Sequence, residues 1–458
     1  MKRWIAIILT AIVSILLISL IGGYFYMLPT FKVATGYTAK VICSNHNLTG
    51  QSIEAALADM PDNPLVPFLK PRVEANGLSA TLWGWAAKQK AIYRSGLGCT
   101  LLAGKGPFET RTATLPPAAP LDPARPWPVG DAVDYQPDPA LEVVLDEAFS
   151  EPNPENPRRT RAIVVVKDGQ IIAERYAEGY GKDTPFLGWS MTKSVTHALL
   201  GLLVMDGKLD IMAPAPVSEW ASPDDPRHAI TTDQLMRMSS GLEFNEDYGD
   251  LTVGVTQMLY NSSDMAAYAA NMPLAAPPDT VWNYSSGTAN ILSRIIRDVI
   301  GGDINVYWNF PRRALFHRIG MNSAVLEPDA SGTFVGSSYM YATARDWARF
   351  GQLYLQDGVW DGQRILPEGW VDYARTPTPP SHGQYGALWW LNRGSGDNKE
   401  WEGVPDDAYA AEGHDGQYVV VIPSCNMVIV RLGVSHHGAW DETVFLQNVL
   451  AGHCINND

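Results

Sequence analysis

Basic side chains are scarce in this chain of 458 residues. There are 34 Lys and Arg against 49 Asp and Glu, a formal net charge of −15 at pH 7. Phosphate backbones are held by basic faces, so a nucleic-acid partner is excluded. Charged residues of either sign make up only 18% of the chain and hydrophobic ones 46%, which rules out a disordered or fibrous protein and supplies a large core. Four cysteines are too few to staple a small disulfide scaffold, and no C-x-x-C spacing serves zinc or redox chemistry. An internal repeat, a G-x-S-x-G nucleophile turn and an H-E-x-x-H zinc motif are all missing. None of the nine His, His436 and His437 included, forms a metal-ligand cluster. No metal or cofactor is called for.

What is present begins with a long apolar run. After the basic Lys2-Arg3, no charged residue occurs from Trp4 to Leu28. At a rise of about 1.5 Å per residue this stretch exceeds the ~30 Å hydrocarbon core of a bilayer. Trp4, Tyr24 and Tyr26 stand near its ends, where aromatic rings favour the headgroup interface. A cleaved signal peptide would have a shorter apolar region and an A-x-A-like site, which Leu28-Pro29-Thr30-Phe31-Lys32 lacks. Residues 1–32 therefore read as an uncleaved single-pass anchor. With Lys2 and Arg3 in the cytoplasm, the rest lies on the extracytoplasmic (periplasmic) side of the cell membrane. Cysteine usage fits that compartment: Cys43 with Cys99 and Cys425 with Cys454 are the expected disulfides, four buried free thiols being the alternative.

The remainder divides into a small extension (33–115), a connection (116–139) and a large domain (140–458). Within the extension, Ser52–Met60 and Gly77–Lys90 read as helices, the second from Leu78, Leu82, Trp83 and Ala86 at near-helical spacing. Seven prolines between Pro116 and Pro137 read as a stiff, extended spacer rather than a packed element. The large domain opens with a helix at Leu141–Phe149 and a hairpin, Ala162–Lys167 and Gln170–Tyr176 about Asp168-Gly169. It ends with two Val/Ile-rich strands, Tyr418–Pro423 and Met427–Leu432. Strands at both ends with helical patterns between them predict one antiparallel sheet built from both termini, an α+β fold.

The chemistry gathers at Ser190-Met191-Thr192-Lys193, which opens the apolar stretch Val195–Met205. On a helix, positions i and i+3 share a face, so the lysine can reach the serine. Apolar surroundings push a lysine toward its neutral, basic form, and a serine needs such a base to act as a nucleophile. S-x-x-K alone occurs by chance about once in a chain of this length. Two later features add weight. Tyr284-Ser285-Ser286 opens the run Ile291–Ile300, and a tyrosine there can relay a proton. His414-Asp415-Gly416 precedes the strand at Gln417, where a glycine admits a substrate carbonyl and a strand N–H can serve an oxyanion hole.

This ordered triplet resembles the serine β-lactamase and penicillin-binding protein superfamily, in particular the class C β-lactamase-related esterases and the 6-aminohexanoate-dimer (nylon oligomer) hydrolases. Ser190 and Tyr284 are 94 residues apart, and Tyr284 and His414 are 130 apart. Met238–Phe244, Ala342–Gly351 and Gly413–Tyr418 are similar to the same group, so the resemblance spans roughly residues 140–455. It implies a β-lactamase/transpeptidase-like fold, an antiparallel sheet flanked by helices plus a helical subdomain. It implies Ser190 as the acylated nucleophile, Lys193 as its base, Tyr284 as the proton relay and the backbone N–H groups of Ser190 and Gln417 as the oxyanion hole. Tyr248, in an E-D-Y segment, resembles a substrate-contacting tyrosine of the nylon-oligomer hydrolases; Ser286, His414, Asp415 and Gly416 complete the implied substrate contacts. Ser286 replaces the Asn common in true β-lactamases, and His414-Asp415 replaces a Lys-Thr that helps bind an anionic carboxylate, which disfavours penicillins.

The expected function is a membrane-anchored serine hydrolase of a small ester or amide. The alternatives are a penicillin-binding D-peptidase or weak β-lactamase and, in another class, a non-catalytic tethered ligand-binding or sensor protein. Trp389, Trp390 and Trp401 are expected only to pack, and Glu246 and Asp247 to be exposed acids. The oligomeric state is left open.

Overall fold

The computed structural model describes residues 2–61, 63–436 and 438–454. The apolar run and the start of the extension form one element, helix α1 (Lys2–Ser44), which passes through Pro29 without ending. Apolar side chains from Trp4 to Tyr26 are almost all exposed, and the helix is long and apolar enough to cross a membrane. From Val33 onward it changes character: Val33, Ala39, Ile42 and Cys43 are buried. The boundary expected at residue 32 is thus not a break in the backbone. A short helix, Ile53–Ala58, follows as expected, with the Ser52 hydroxyl capping the Ala55 N–H.

The extension's remaining elements correct the sequence reading. Gly77–Lys90 is not a helix; it forms two strands of a four-stranded antiparallel sheet, β1 (Leu69–Glu74), β2 (Gly77–Leu82), β3 (Ala86–Arg94) and β4 (Gly98–Leu101), in that order. Leu78 and Leu82 are four apart, a spacing that puts them on one face of a strand as well as of a helix. What decides is the turn between the strands, where Trp83 and Gly84 both take left-handed backbone angles that no helix interior accepts. The buried half of α1 packs on this sheet, and the expected Cys43–Cys99 disulfide joins α1 to β4.

The connection is also more than a spacer. It carries no helix or named strand, but Trp127 within it is buried. The Arg349 guanidinium donates to the Pro128 and Gly130 carbonyls at 2.9 and 2.8 Å, strapping the segment to the large domain.

That domain has the expected α+β architecture. Helix α2 (Pro139–Phe149) leads into the hairpin β5 (Thr160–Lys167) and β6 (Gln170–Tyr176), whose Asp168-Gly169 turn is left-handed at both residues. Helices α3 (Met191–Met205), α4 (Ser286–Ile300) and α5 (Ala344–Leu355) are followed by β7 (Trp390–Leu391), β8 (Tyr409–Gly413), β9 (Gln417–Ile422), β10 (Met427–Gly433) and α6 (Glu442–Leu450). The six-stranded sheet has the order β7-β8-β9-β10-β5-β6, antiparallel throughout, so strands from both ends of the domain meet at β10 and β5. Its central strands are buried on both faces. Val164, Val166, Val428 and Val430 face the main core, while Ile163, Val165, Met427 and Ile429 face a second layer formed with α2 and α6. Double-sided burial explains why these strands read as continuous apolar runs. Cys425–Cys454 closes the C-terminal end.

Candidate functional site

Ser190 is the residue at the N-terminal cap of α3. Trp189 before it has φ 47°, an uncommon left-handed value for a bulky side chain, and this turn swings the chain from the Phe186–Leu187 strand into the helix. Strand β8 ends beside it: a Cβ on Gly413 would meet the Gly188 carbonyl oxygen at 2.2 Å, so only glycine lets the two segments approach this closely. Beyond Tyr409 and Ala410, β7 no longer pairs with β8, which leaves the Ala411–Gly413 end of β8 as a free sheet edge.

Lys193, one turn along α3 and buried, points at Ser190. Its Nζ lies 2.9 Å from Ser190 Oγ, 3.1 Å from Ser286 Oγ and 3.1 Å from the Ser337 carbonyl oxygen. Burial pulls its pKa down to about 8, and the negative charge of Glu246 acts in the opposite sense. Tyr284 lies just before Ser285, whose hydroxyl caps α4 through the Thr288 N–H. The Tyr284 ring centroid is 4.6 Å from Lys193 Nζ. Burial holds the phenol well above its ordinary pKa, Glu246 adds to this, and contact with Ser190 works against it.

Glu246 is the site residue that sequence reasoning missed. Expected as an exposed acid, it is half-buried and accepts from both the Ser286 N–H, at 2.8 Å, and the Ser286 hydroxyl. The Tyr248 hydroxyl donates to the same carboxylate at 3.3 Å. The one available signal for Glu246 was its place two residues before Tyr248 in the Glu246-Asp247-Tyr248 segment. Asp247 between them is exposed and bonds only within its own turns, to Asn245 and Gly249. The Ser337 carbonyl, contributed by a loop, had no sequence signal at all.

The other implied residues separate into two groups. Tyr248 reaches the cluster: its hydroxyl is 3.5 Å from Ser286 Oγ, and its ring stacks on His414 at 5.2 Å. Ser286 is bonded within the cluster to Lys193 and Glu246. Asp415 sits between His414 Nε2, at 3.4 Å, and His436 Nδ1, at 3.6 Å. Gly416 is set against Arg431, which donates to its carbonyl at 2.7 Å. The Gln417 side chain is tied to the Gly433 backbone at 2.6 and 2.9 Å. Trp389 and Trp401 pack in the two cores as expected. Trp390 does more, lying 5.2 Å from the Tyr284 ring. Among the described residues, no group of three or more His, Cys, Asp or Glu is arranged to hold a metal ion; His437 lies outside them.

A serine and a buried lysine at a helix start, beside the free edge of an antiparallel sheet flanked by helices, define the β-lactamase/transpeptidase architecture and the serine hydrolase class. A profile of the Beta-lactamase family matches residues 145–446, well over half of the chain, and the chain belongs to that family. It is 25% identical over 308 residues to a 6-aminohexanoate-dimer hydrolase of Paenarthrobacter ureafaciens, a match covering 60% of this chain and 72% of the relative. Among solved structures, it is similar to a penicillin-binding protein homologue from Caulobacter crescentus, with TM-score 0.54, 16% identity, and 70% and 99% of the two chains covered. It is also similar to the octameric penicillin-binding protein homologue from Pyrococcus abyssi, with TM-score 0.52, 18% identity, and 68% and 76% covered. At these identities the two structures speak to the fold alone.

Proposed function

We propose that the protein is a membrane-anchored serine hydrolase that cleaves an ester or amide through an acyl-enzyme on Ser190. The observation that carries this reading is the surroundings of Lys193 Nζ. The Ser286 hydroxyl proton is committed to Glu246, so Ser286 Oγ can only accept from the lysine, and the Ser337 carbonyl can only accept. A neutral amine has two N–H bonds. With both engaged, its lone pair is left for the Ser190 O–H at 2.9 Å.

As Ser190 Oγ bonds to the substrate carbonyl carbon, its proton passes to Lys193. The Ser190 N–H and an N–H on the free Ala411–Gly413 edge of β8 receive the oxyanion; Gln417, expected in this role, is instead paired with Gly413 on the inner strand β9. The C–O or C–N bond then breaks, and the leaving group takes a proton from Tyr284, which is resupplied by Lys193. Water repeats the sequence on the acyl-enzyme and frees the acid. The relative's name, a hydrolase of a 6-aminohexanoate dimer, supports this substrate class. Asp415 beside His414 disfavours an anionic β-lactam. The exposed apolar half of α1 supports membrane anchoring, with the body on the extracytoplasmic side.

The test is intact-mass labelling of the full-length protein with a fluorophosphonate, alongside p-nitrophenyl acetate turnover. Both are expected in wild type and absent in Ser190→Ala. Normal turnover by Ser190→Ala would refute the mechanism, and a folded wild type that neither labels nor turns over would favour a binding protein.

A further inference from the structure

A cavity of about 350 Å³ adjoins the catalytic cluster, within the size range of small-molecule sites. One wall belongs to the family domain: Trp189, next to the nucleophile, and Tyr248, whose hydroxyl reaches Ser286. The opposite wall belongs to the extension: Val33 and Ala34 on α1, and Val66 and Leu69 leading into β1. Apart from Asn63 and the Tyr37 hydroxyl this second wall is apolar, and it is continuous with the part of the molecule built for a bilayer.

Two observations establish that continuity. Val33 lies seven residues beyond Tyr26, near the end of the nearly continuous exposed run on α1, which closes at Met27. At the helical rise that is about 10 Å, only slightly deeper than the headgroup layer that borders the hydrocarbon core. The extension also presents an aromatic patch at that level. Trp85 stacks on Tyr24 at 6.0 Å, Trp83 meets Phe31 at 5.6 Å and Phe68 at 6.3 Å. Trp85, Trp83 and Phe68 are 71%, 44% and 46% exposed, a cost in water and a gain at a lipid interface. Phe68 lies between the wall residues Val66 and Leu69, and its carbonyl accepts from the Trp83 N–H at 2.9 Å. The segment that meets the membrane therefore also lines the cavity.

Resting on the reading of Ser190 as the acylated nucleophile and α1 as the anchor, we propose that this cavity takes the acyl chain of a membrane amphiphile, an ester or amide drawn from the bilayer surface. Ser190 Oγ bonds to the acyl carbon, the alcohol or amine head leaves with a proton, and water releases the fatty acid. No co-reactant other than water is required.

The experiment uses the full chain in nanodiscs of phosphatidylethanolamine and phosphatidylglycerol, with p-nitrophenyl acetate, hexanoate and decanoate as probes. kcat/KM is expected to rise by roughly threefold to fourfold per buried methylene. Ala34→Phe and Leu251→Trp fill the cavity from opposite walls and should each cut the decanoate-to-acetate ratio at least tenfold. Fluorophosphonate labelling counts the folded, active molecules in each preparation, so loss of fold is read separately. A flat or falling series with acetate turnover intact overturns the inference and leaves the hydrolase reading standing. A chain-length preference that survives both substitutions reports partitioning into the bilayer, and also overturns it. If neither acetate nor the phosphonate reacts at Ser190, the hydrolase reading fails and this inference fails with it.

Discussion

Two buried lysines sit at the two joints of this molecule, and they differ in where their carboxylate stands. Lys40, on the buried half of α1, is bonded directly to Glu327 of the large domain and to Ser44 at 2.9 Å, and its Nζ is 4.1 Å from the centre of the Tyr339 ring. Glu327 is closed off by the Cys99 N–H and the Ser44 hydroxyl. Lys193 has its carboxylate, Glu246, one hydroxyl away through Ser286. Burial pulls both lysines down, and the carboxylate opposes it in both. Direct contact makes Lys40 half of an ion pair that fastens the extension to the catalytic body. Interposing a serine leaves Lys193 without a carboxylate in direct contact, which is what the proposed role as a base requires.

The largest effect that would break this comparison is on turnover. Lys193→Ala should lower p-nitrophenyl ester kcat/KM by roughly two to four powers of ten, the contribution of a positioned general base, while the protein stays folded by circular dichroism. Retained turnover would remove Lys193 from the mechanism. Lys40→Met leaves Glu327 buried without its partner and should cost about 3–5 kcal/mol in denaturant unfolding. Adding Glu327→Leu should recover most of that loss, because the uncompensated charge has gone. A double variant as unstable as the single one would mean that packing rather than charge sets the joint.

The smallest effect is the most discriminating. Wild-type kcat/KM should rise with pH through an inflection near 8, as Lys193 loses its proton, and then level off. Glu246→Gln removes the negative charge that favours protonated Lys193, so the inflection should move to lower pH. The plateau should fall roughly tenfold, because the Ser286 hydroxyl loses a charge-assisted bond. An inflection that moves upward would break the assignment of Glu246 as the residue positioning Ser286 and tuning Lys193.

Much of this was legible because it is local. Ser190 and Lys193 are three apart on one helix, Asp168-Gly169 demands a left-handed turn, and Val/Ile runs at both ends of the domain announce a sheet buried on both faces. The errors arose where two structures share one spacing. Leu78 and Leu82 suit a helix and a strand equally, and the left-handed Trp83-Gly84 turn chose the strand. Proline-rich composition described the connection's backbone but not that Trp127 would be buried beneath it. Glu246 looked like one more acid in an acidic chain until the fold laid its carboxylate against Ser286, 40 residues away.

By itself, the sequence determined the family, the pairing of Ser190 with Lys193 on one helix face, the apolar run and four of the six strands of the large sheet, since each is written in residue type and short-range spacing. Only the tertiary structure decided that α1 continues without a break into the body, that Lys40 meets Glu327 across 287 residues, and that the extension supplies a wall beside the catalytic cluster. Those are contacts between segments far apart in the chain. Their energy lies in burial and in the pairing of desolvated charges, which no local spacing encodes.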